Sequence, residues 1–332
     1  MNGSEPLVSV IIPVYNAEDF IPGLIEQLSA QTFRAWEAVL VLDGPTDGSE
    51  ALVMQAAAKD ARLRVVKQRN GGVSRARNRG LQEMRGETFA FIDADDLFAP
   101  DYLEQLYGAF AHEAERPNWV ASGYQALKPG DRFLPASGGD IRERHARVPE
   151  CCYRDLTWTV VWAKLFDAQW FRRTGVFFDE TLLVSEDTFF MICLITHTRR
   201  MVYLSQYLGY GYRRPESGKS LSARHRGFYC EAQMMMLKKL LESDAVRWGG
   251  ACTRRVYRLV LFVVCRNRFG YAHAYGVSKA FQSLRTFFPR MPFRLFVHAD
   301  VRALPAAGCL FLMCFSRQTF GWLYALRKRA FQ

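Results

Sequence analysis

The sequence has little of what several common protein classes require. Its eight cysteines, at 151, 152, 193, 230, 252, 265, 309 and 314, include no C-x-x-C pair, and its histidines include no pair at zinc-ligand spacing. Neither a disulfide framework nor a structural zinc site is indicated. The cysteines read as small buried hydrophobes in a reducing compartment. The most apolar late stretches, 254–264 and 304–315, are shorter than the roughly 20 residues a membrane-spanning helix needs, although they suit interfacial insertion. Met1 to Pro6 has no basic region ahead of the short apolar run Leu7 to Val14, so the expected location is the cytoplasm.

Acidic residues are scarce in one part of the chain. Residues 199–332 hold 24 Lys and Arg against 5 Asp and Glu, a net +19, whereas the first 198 hold 20 against 28, a net −8. The basic part is expected to face an anionic partner. Arg327-Lys328-Arg329 beside Trp322 and Tyr324 favours the anionic inner face of the cell membrane, bound peripherally, over nucleic acid.

With 332 residues, 49% of them apolar, the chain can bury a full core and fits one large α/β domain plus an appended part. Val8 to Val14 is β-branched and apolar on both faces, as in a central parallel strand. The spacing of Phe20, Ile21, Leu24, Ile25 and Leu28 predicts a helix from about Glu18 to Ala30. A strand near 38–42, a helix over 49–58 and a strand near 63–67 follow. Ser74 is expected to cap a helix running to about Met84, and 88–92 reads as a fourth strand. Such alternation implies a doubly wound sheet whose ligands gather outside the carboxyl ends of the strands. Tyr15-Asn16, Asp43 to Asp47 and Asp93 to Asp96 all fall there.

From about Trp119 to Tyr212 the pattern is irregular, mixing aromatic and polar residues as an acceptor-side region would. The chain is therefore expected to divide into residues 1–222, of which 1–115 carry the strand-end segments where a ligand would gather and 116–222 form that second region, and a helical, basic and aromatic extension over 223–332.

Asp93, Asp95 and Asp96 follow the apolar strand directly, and like charges that close disfavour one another unless a cation compensates. Mg²⁺ or Mn²⁺ is the natural partner, since it takes one or two carboxylates together with diphosphate oxygens and water. An acidic turn capping a helix near Pro100 is the bland alternative. Asp43 can accept a hydrogen bond from a nucleobase N–H. Asn70 to Asn78 combines glycines, a helix start, Arg75 and Arg77, which suits an anionic or ribosyl group. A G-x-G-x-x-G turn is missing after the first strand, which disfavours a nicotinamide dehydrogenase.

The series Val8-Ser9-Val10-Ile11-Ile12-Pro13-Val14-Tyr15-Asn16, Leu42-Asp43-Gly44-Pro45-Thr46-Asp47, Asn70-Gly71-Gly72 with Ala76-Arg77-Asn78, and Phe91-Ile92-Asp93-Ala94-Asp95-Asp96 resembles the family 2 glycosyltransferases of GT-A fold. The resemblance is close over about the first 110 residues and looser to about 222. It implies a Rossmann-like mixed sheet and an inverting transfer, of the hexosyltransferase class, from a nucleotide diphosphate sugar, a UDP-sugar first. The acceptor would be a glycan or a lipid-linked molecule in cell-surface polysaccharide synthesis. Pro13, Tyr15, Asn16, Asp43, Arg77, Asp93 and Asp95 would bind the donor, Asp95 and Asp96 the metal. Glu186-Asp187 stands at the family's E-D motif, with Asp187 as general base, although Ser185 could equally cap a helix whose first turn welcomes acids. The chain departs from the family in having Leu42 where an acid is common, and Pro45 in the turn. Trp162 to Phe166 and Tyr210 to Arg214, with Ser217 and Ser220, also resemble segments of the polysaccharide-building members. Lys164 or Arg213 is available there for phosphate and the aromatics for sugar, while core packing explains each as well.

Two other readings compete. A phosphohydrolase of the haloacid dehalogenase type also places D-x-D after an apolar strand, but wants Thr or Val two residues beyond the second Asp, where Asp95 is followed by Asp96-Leu97. A non-catalytic membrane or nucleic-acid adaptor on the same fold draws on the basic segment.

Overall fold

The computed structural model describes residues 6–137, 143–145, 156–214, 235–236, 239–240 and 243. The first part runs β1 (Val8–Val14), α1 (Ile21–Ser29), β2 (Trp36–Asp43), α2 (Ser49–Ala57), β3 (Leu63–Gln68), α3 (Val73–Glu83), β4 (Thr88–Phe91), β5 (Leu97–Phe98) and α4 (Tyr102–Ala111). The second runs β6 (Trp119–Ser122), β7 (Tyr124–Leu127), β8 (Ala136–Ser137), β9 (Glu143–His145), β10 (Lys164–Asp167), α5 (Ala168–Thr174), α6 (Glu186–His197), β11 (Met201–Leu204), β12 (Tyr207–Leu208) and β13 (Tyr210–Arg213). The basic extension, with the residues expected to face a membrane, lies outside the described residues, apart from the few between 235 and 243.

Eight strands make one mixed sheet in the order β3-β2-β1-β4-β10-β6-β11-β9. β3, β2, β1 and β4 are parallel, and β10 enters antiparallel to both β4 and β6. Every residue of β2 is buried, as is every residue of β1 but Pro13, which is why both read as unbroken apolar runs. The chain winds outward from β1 to β3, then crosses back so that β4 lies on the other side of β1. That reversal opens a crevice between the carboxyl ends of β1 and β4. A separate three-stranded sheet, β5-β13-β7, stands beside it.

Several boundaries differ from expectation for local reasons. α1 starts at Ile21, because Pro22 lacks an N–H and fits only a first turn. Glu18 is thereby freed for another role: its N–H donates to Asp47 and its carboxylate accepts from Gly48 N–H. Ser74 does not cap α3. Gly72, at φ 87°, begins that helix, and Ser74 is buried within it with no partner for its hydroxyl among the described residues. α4 begins at Tyr102 with β5 intervening, so the acids at 93–96 do not cap it. The irregular middle holds short strands, β6, β10 and β11 among them, each four residues long and largely buried.

α3 lies against β1, and Gly80 is the point of closest approach: a Cβ there would collide with the Ile11 side chain. Gly80→Ala is therefore expected to lose stability by about 1–3 kcal/mol, although alanine favours a helix by ~0.5–1 kcal/mol. Urea unfolding measures the difference; an unchanged or raised midpoint would contradict this packing.

Candidate active site

The loops at the crevice are fastened to one another. Asn16, at φ 47°, accepts from Thr46 N–H at 2.8 Å and donates to the Thr46 hydroxyl at 3.1 Å. Ala17 N–H donates to Ser49 Oγ at 2.8 Å. Asn16 thus ties the β1 end to the β2 turn, while Tyr15 beside it is 52% exposed and stands open to a ligand. Pro13 is half-buried at the end of β1.

Asp43 is buried, and both its oxygens have partners within the protein. Oδ1 accepts from Gln68 Nε2 at 2.8 Å and from Gly71 N–H at 2.9 Å, and Oδ2 accepts from Gly72 N–H at 2.9 Å. The carboxylate expected to meet a nucleobase also holds the loop that begins α3. Two of the orphan N–H groups before that helix find their acceptor in it.

Arg77 has a comparable internal place. Expected to face a ligand, it projects from the buried side of α3 with a side chain 4% exposed. Its Nη2 donates to Asp93 Oδ1 at 3.0 Å and its Nη1 to Glu186 Oε1 at 3.2 Å. Burial opposes its charge, but the fields of Asp93, Asp187 and Glu186 more than offset that and raise its pKa. One guanidinium thereby joins the loop after β4 to the start of α6. Ser185 precedes α6 at φ 63° and makes no side-chain cap. Asp187 is half-buried in the first turn and hydrogen-bonded to Glu186. Burial and the charge of Asp187 push Glu186 up to about 8, against the pull of Arg77, so this pair retains a proton toward neutral pH.

Asp96 turns inward. It is 2% exposed; Oδ2 accepts from the Tyr210 hydroxyl at 2.6 Å and Oδ1 from Arg213 N–H at 2.9 Å. Burial, then the charges of Asp93 and Asp95, push it up to about 8. Asp95 is half-buried, and its carboxylate accepts from its own backbone N–H and makes no hydrogen bond to another of the described residues. Burial and the charge of Asp93 raise its pKa, with that N–H and Arg213 pulling the other way. Of the three acids, Asp95 is the one without a bond to another residue among those described. Among the described residues no three Asp, Glu, His or Cys side chains form a ready metal cage. An open carboxylate with unrelieved negative charge suits a Mg²⁺- or Mn²⁺-sized cation that completes its shell from diphosphate and water.

Further along the sheet, Lys164 is buried and its Nζ donates to the Val160 carbonyl at 2.8 Å. Trp162 lies parallel to Tyr210 and Tyr212, with ring centroids 5.3 and 5.0 Å apart. These aromatics serve packing between the two sheets. Tyr210 carries no sequence signal for its contact with Asp96, because 114 residues separate them.

The sequence model described as Glycosyl transferase family 2 matches residues 9–125. Residues 9–125 thus carry the sequence pattern of family 2 glycosyltransferases. It is similar to the uncharacterized glycosyltransferase EpsJ of Bacillus subtilis, at 32% identity over 63% of this chain and 61% of that protein. It also resembles the putative teichuronic acid biosynthesis glycosyltransferase TuaG of the same organism, at 39% identity over 32% of this chain and 42% of that protein. These matches span less than two thirds of either relative. S. aureus TarS residues 1–349, solved in complex with UDP-GlcNAc, superpose with a TM-score of 0.73 at 19% identity, covering 97% of this chain and 92% of that one. The mannosyltransferase PcManGT of Pyrobaculum calidifontis, in complex with GDP-Man and Mn2+, does so at 0.58 and 16% identity, covering 97% and 85%. The chain therefore has the GT-A fold.

The buried acids make stability depend on pH. Asp96 and Glu186 ionise near 8 in the fold against ordinary values of 3.8 and 4.5. A raised carboxyl pKa contributes stability that is present below the ordinary value and is lost as pH rises through the folded value. With divalent metal chelated, the thermal midpoint is expected to fall between about pH 5 and 9, and less steeply in Asp96→Asn. Equal slopes in the two proteins would refute the assignment to Asp96.

Proposed function

We propose that this protein is an inverting glycosyltransferase that moves a hexose from a nucleotide diphosphate sugar, UDP-linked first, to a hydroxyl of a glycan or lipid-linked acceptor. The observation that carries the reading is Arg77, whose single guanidinium sets the donor-side loop at Asp93 and the E-D turn at Glu186-Asp187 side by side. Supporting it are TuaG, named for teichuronic acid biosynthesis, and GT-A neighbours whose complexes hold UDP-GlcNAc or GDP-Man with Mn2+.

In this proposal Asp187 removes the proton of the acceptor hydroxyl as its oxygen attacks the anomeric carbon, and the bond to the diphosphate breaks on the opposite face. Configuration inverts, with no covalent intermediate on the enzyme. Glu186, whose proton burial helps to retain, donates to Asp187 and holds it in place. Tyr15 faces the nucleotide, and Asn16 and Asp43 act by holding the loops that line it. Asp95, with Asp96 anchoring the segment behind it, would hold Mn²⁺ or Mg²⁺, which supplies positive charge to the departing diphosphate. The phosphohydrolase alternative gains nothing from the geometry, since Asp93 is ion-paired with Arg77.

Asp187→Asn is expected to lower transfer by at least about 100-fold while donor binding is retained. Asp95→Asn is expected to weaken metal-dependent donor binding. A panel of UDP-, GDP- and dTDP-sugars, followed by calorimetry and product assay, tests both; full activity in the two variants would sink the site assignment.

The extension over 223–332 is proposed to hold the enzyme on the anionic inner face of the membrane. Among the described residues no helix is long and apolar enough to cross one. Protein mixed with vesicles containing anionic lipid should float with them, and truncation near residue 250 should abolish this; undiminished flotation removes the idea.

A further inference from the structure

The chain between α5 and α6 leads into the E-D turn, and it is held from two directions. One hold comes from α3. Asn78 bonds to both the N–H and the carbonyl of Phe178 at 2.9 Å and donates to Glu180 Oε1 at 3.1 Å. The Phe178 ring lies flat on Phe190 of α6, with centroids 3.9 Å apart, and meets Phe91, the last residue of β4, edge to face. Leu182 and Val184 are buried as the chain runs on to Ser185.

The second hold comes from beyond the expected limit of the transferase part at 222. Residues 235, 236, 239 and 240 are helical. Met236 and Leu240, one turn apart, are both fully buried, whereas Met235 is 38% exposed, so one face of this piece is covered and another is open. Lys239 shows where it rests. Its Nζ donates to Asp179 Oδ2 at 2.5 Å and to the Thr181 hydroxyl. The other Asp179 oxygen accepts from Thr181 N–H at 2.9 Å and from the Thr181 hydroxyl at 2.6 Å. Burial opposes the Asp179 charge, but these hydrogen bonds outweigh it and hold its pKa below the ordinary value. A partly exposed ion pair is worth little by itself. Here two buried apolar neighbours fix the place of its lysine.

We propose that residues 235–240 clasp the 178–181 loop and that Lys239 is a positioning residue for Asp187, setting through Asp179 where the E-D turn stands. Phe178 is tied to α3 and the next residue to Lys239, so the loop cannot shift without breaking one of the two. A general base acts only within hydrogen-bond reach of the proton it takes. The inference rests on the reading of Asp187 as that base, and it brings into the catalytic unit a segment of the part expected to bind a membrane.

The test uses the full chain and deuterium exchange read by mass spectrometry, with circular dichroism to establish that each variant is folded. Lys239→Ala should exchange several times faster over 176–190 and as wild type does over β1 and β2, and Lys239→Arg should restore the slow exchange. With Mn2+ and UDP-GlcNAc or GDP-mannose as probe, release of UDP or GDP should show kcat lowered by about 10- to 100-fold in Lys239→Ala, with KM for the donor unchanged. Exchange over 176–190 that stays as in wild type, or that quickens throughout the protein, overturns the inference. Local quickening with kcat unchanged removes the positioning role and overturns it too. Wild-type protein that releases neither nucleotide overturns the glycosyltransferase reading, while the exchange contrast still decides whether the clasp exists.

Discussion

A buried guanidinium between two carboxylates is the constraint on which the site depends. Arg77 sits 4% exposed between Asp93 and Glu186, and a charge taken so far out of water persists only if it is paired and hydrogen-bonded. Its position on the inner face of α3 is in turn set by the close fit of that helix on β1, where Gly80 meets Ile11. The loop after β4 and the turn before α6 are therefore not free to drift apart, since removing either acid strands a buried charge at a cost of about 3–5 kcal/mol. Asn78, one residue further along α3, reinforces the same arrangement through Phe178, whose N–H and carbonyl both bond to its side chain at 2.9 Å. A short piece of helix thus specifies where two segments a hundred residues apart must meet.

The nucleotide side is organised by the same kind of economy. Asp43 gives both oxygens to Gln68, Gly71 and Gly72, and Asn16 gives its amide to Thr46. Residues expected to contact the donor thus also fasten the loops, and the exposed Tyr15 stands on a frame they keep still. Such preorganisation lowers the ordering that a ligand must impose on binding.

Periodicity and turn chemistry made the first half of the fold legible. β1 and β2 are apolar on both faces because both faces are covered, and each acidic segment follows a strand because strand ends open on the crevice. Individual partners were not legible in the same way. Nothing local announces that the Asp43 carboxylate meets two glycine N–H groups, which come from a loop 28 and 29 residues away. Tyr210 and Asp96 touch only because β13 returns antiparallel to β5, a pairing that four residues of sequence cannot announce. Lys164 looked like a phosphate-binding cation; its strand register carries it inside, where backbone carbonyls receive it. The E-D pair is visible in the sequence, whereas the internal pairing of the arginine beside it is not, because an arginine after a glycine-rich loop has the same appearance whether it points out or in.

The two arginines divide the electrostatics between them. Arg77 compensates acids permanently: its burial excludes water and its partners hold it, so its field belongs to the fold. Arg213 lies in solvent, where an unpaired cation near Asp95 and Asp96 is screened and contributes little to stability. An acidic cluster compensated fully from within would repel metal and diphosphate less but would also hold no metal, because the carboxylate charge that attracts the ion would already be satisfied. Leaving Asp95 without a bond to another of the described residues avoids that outcome. In the proposed reading, the charge left on Asp95 is what a divalent ion would meet, on a segment that Tyr210 and the Arg213 N–H hold in place through Asp96.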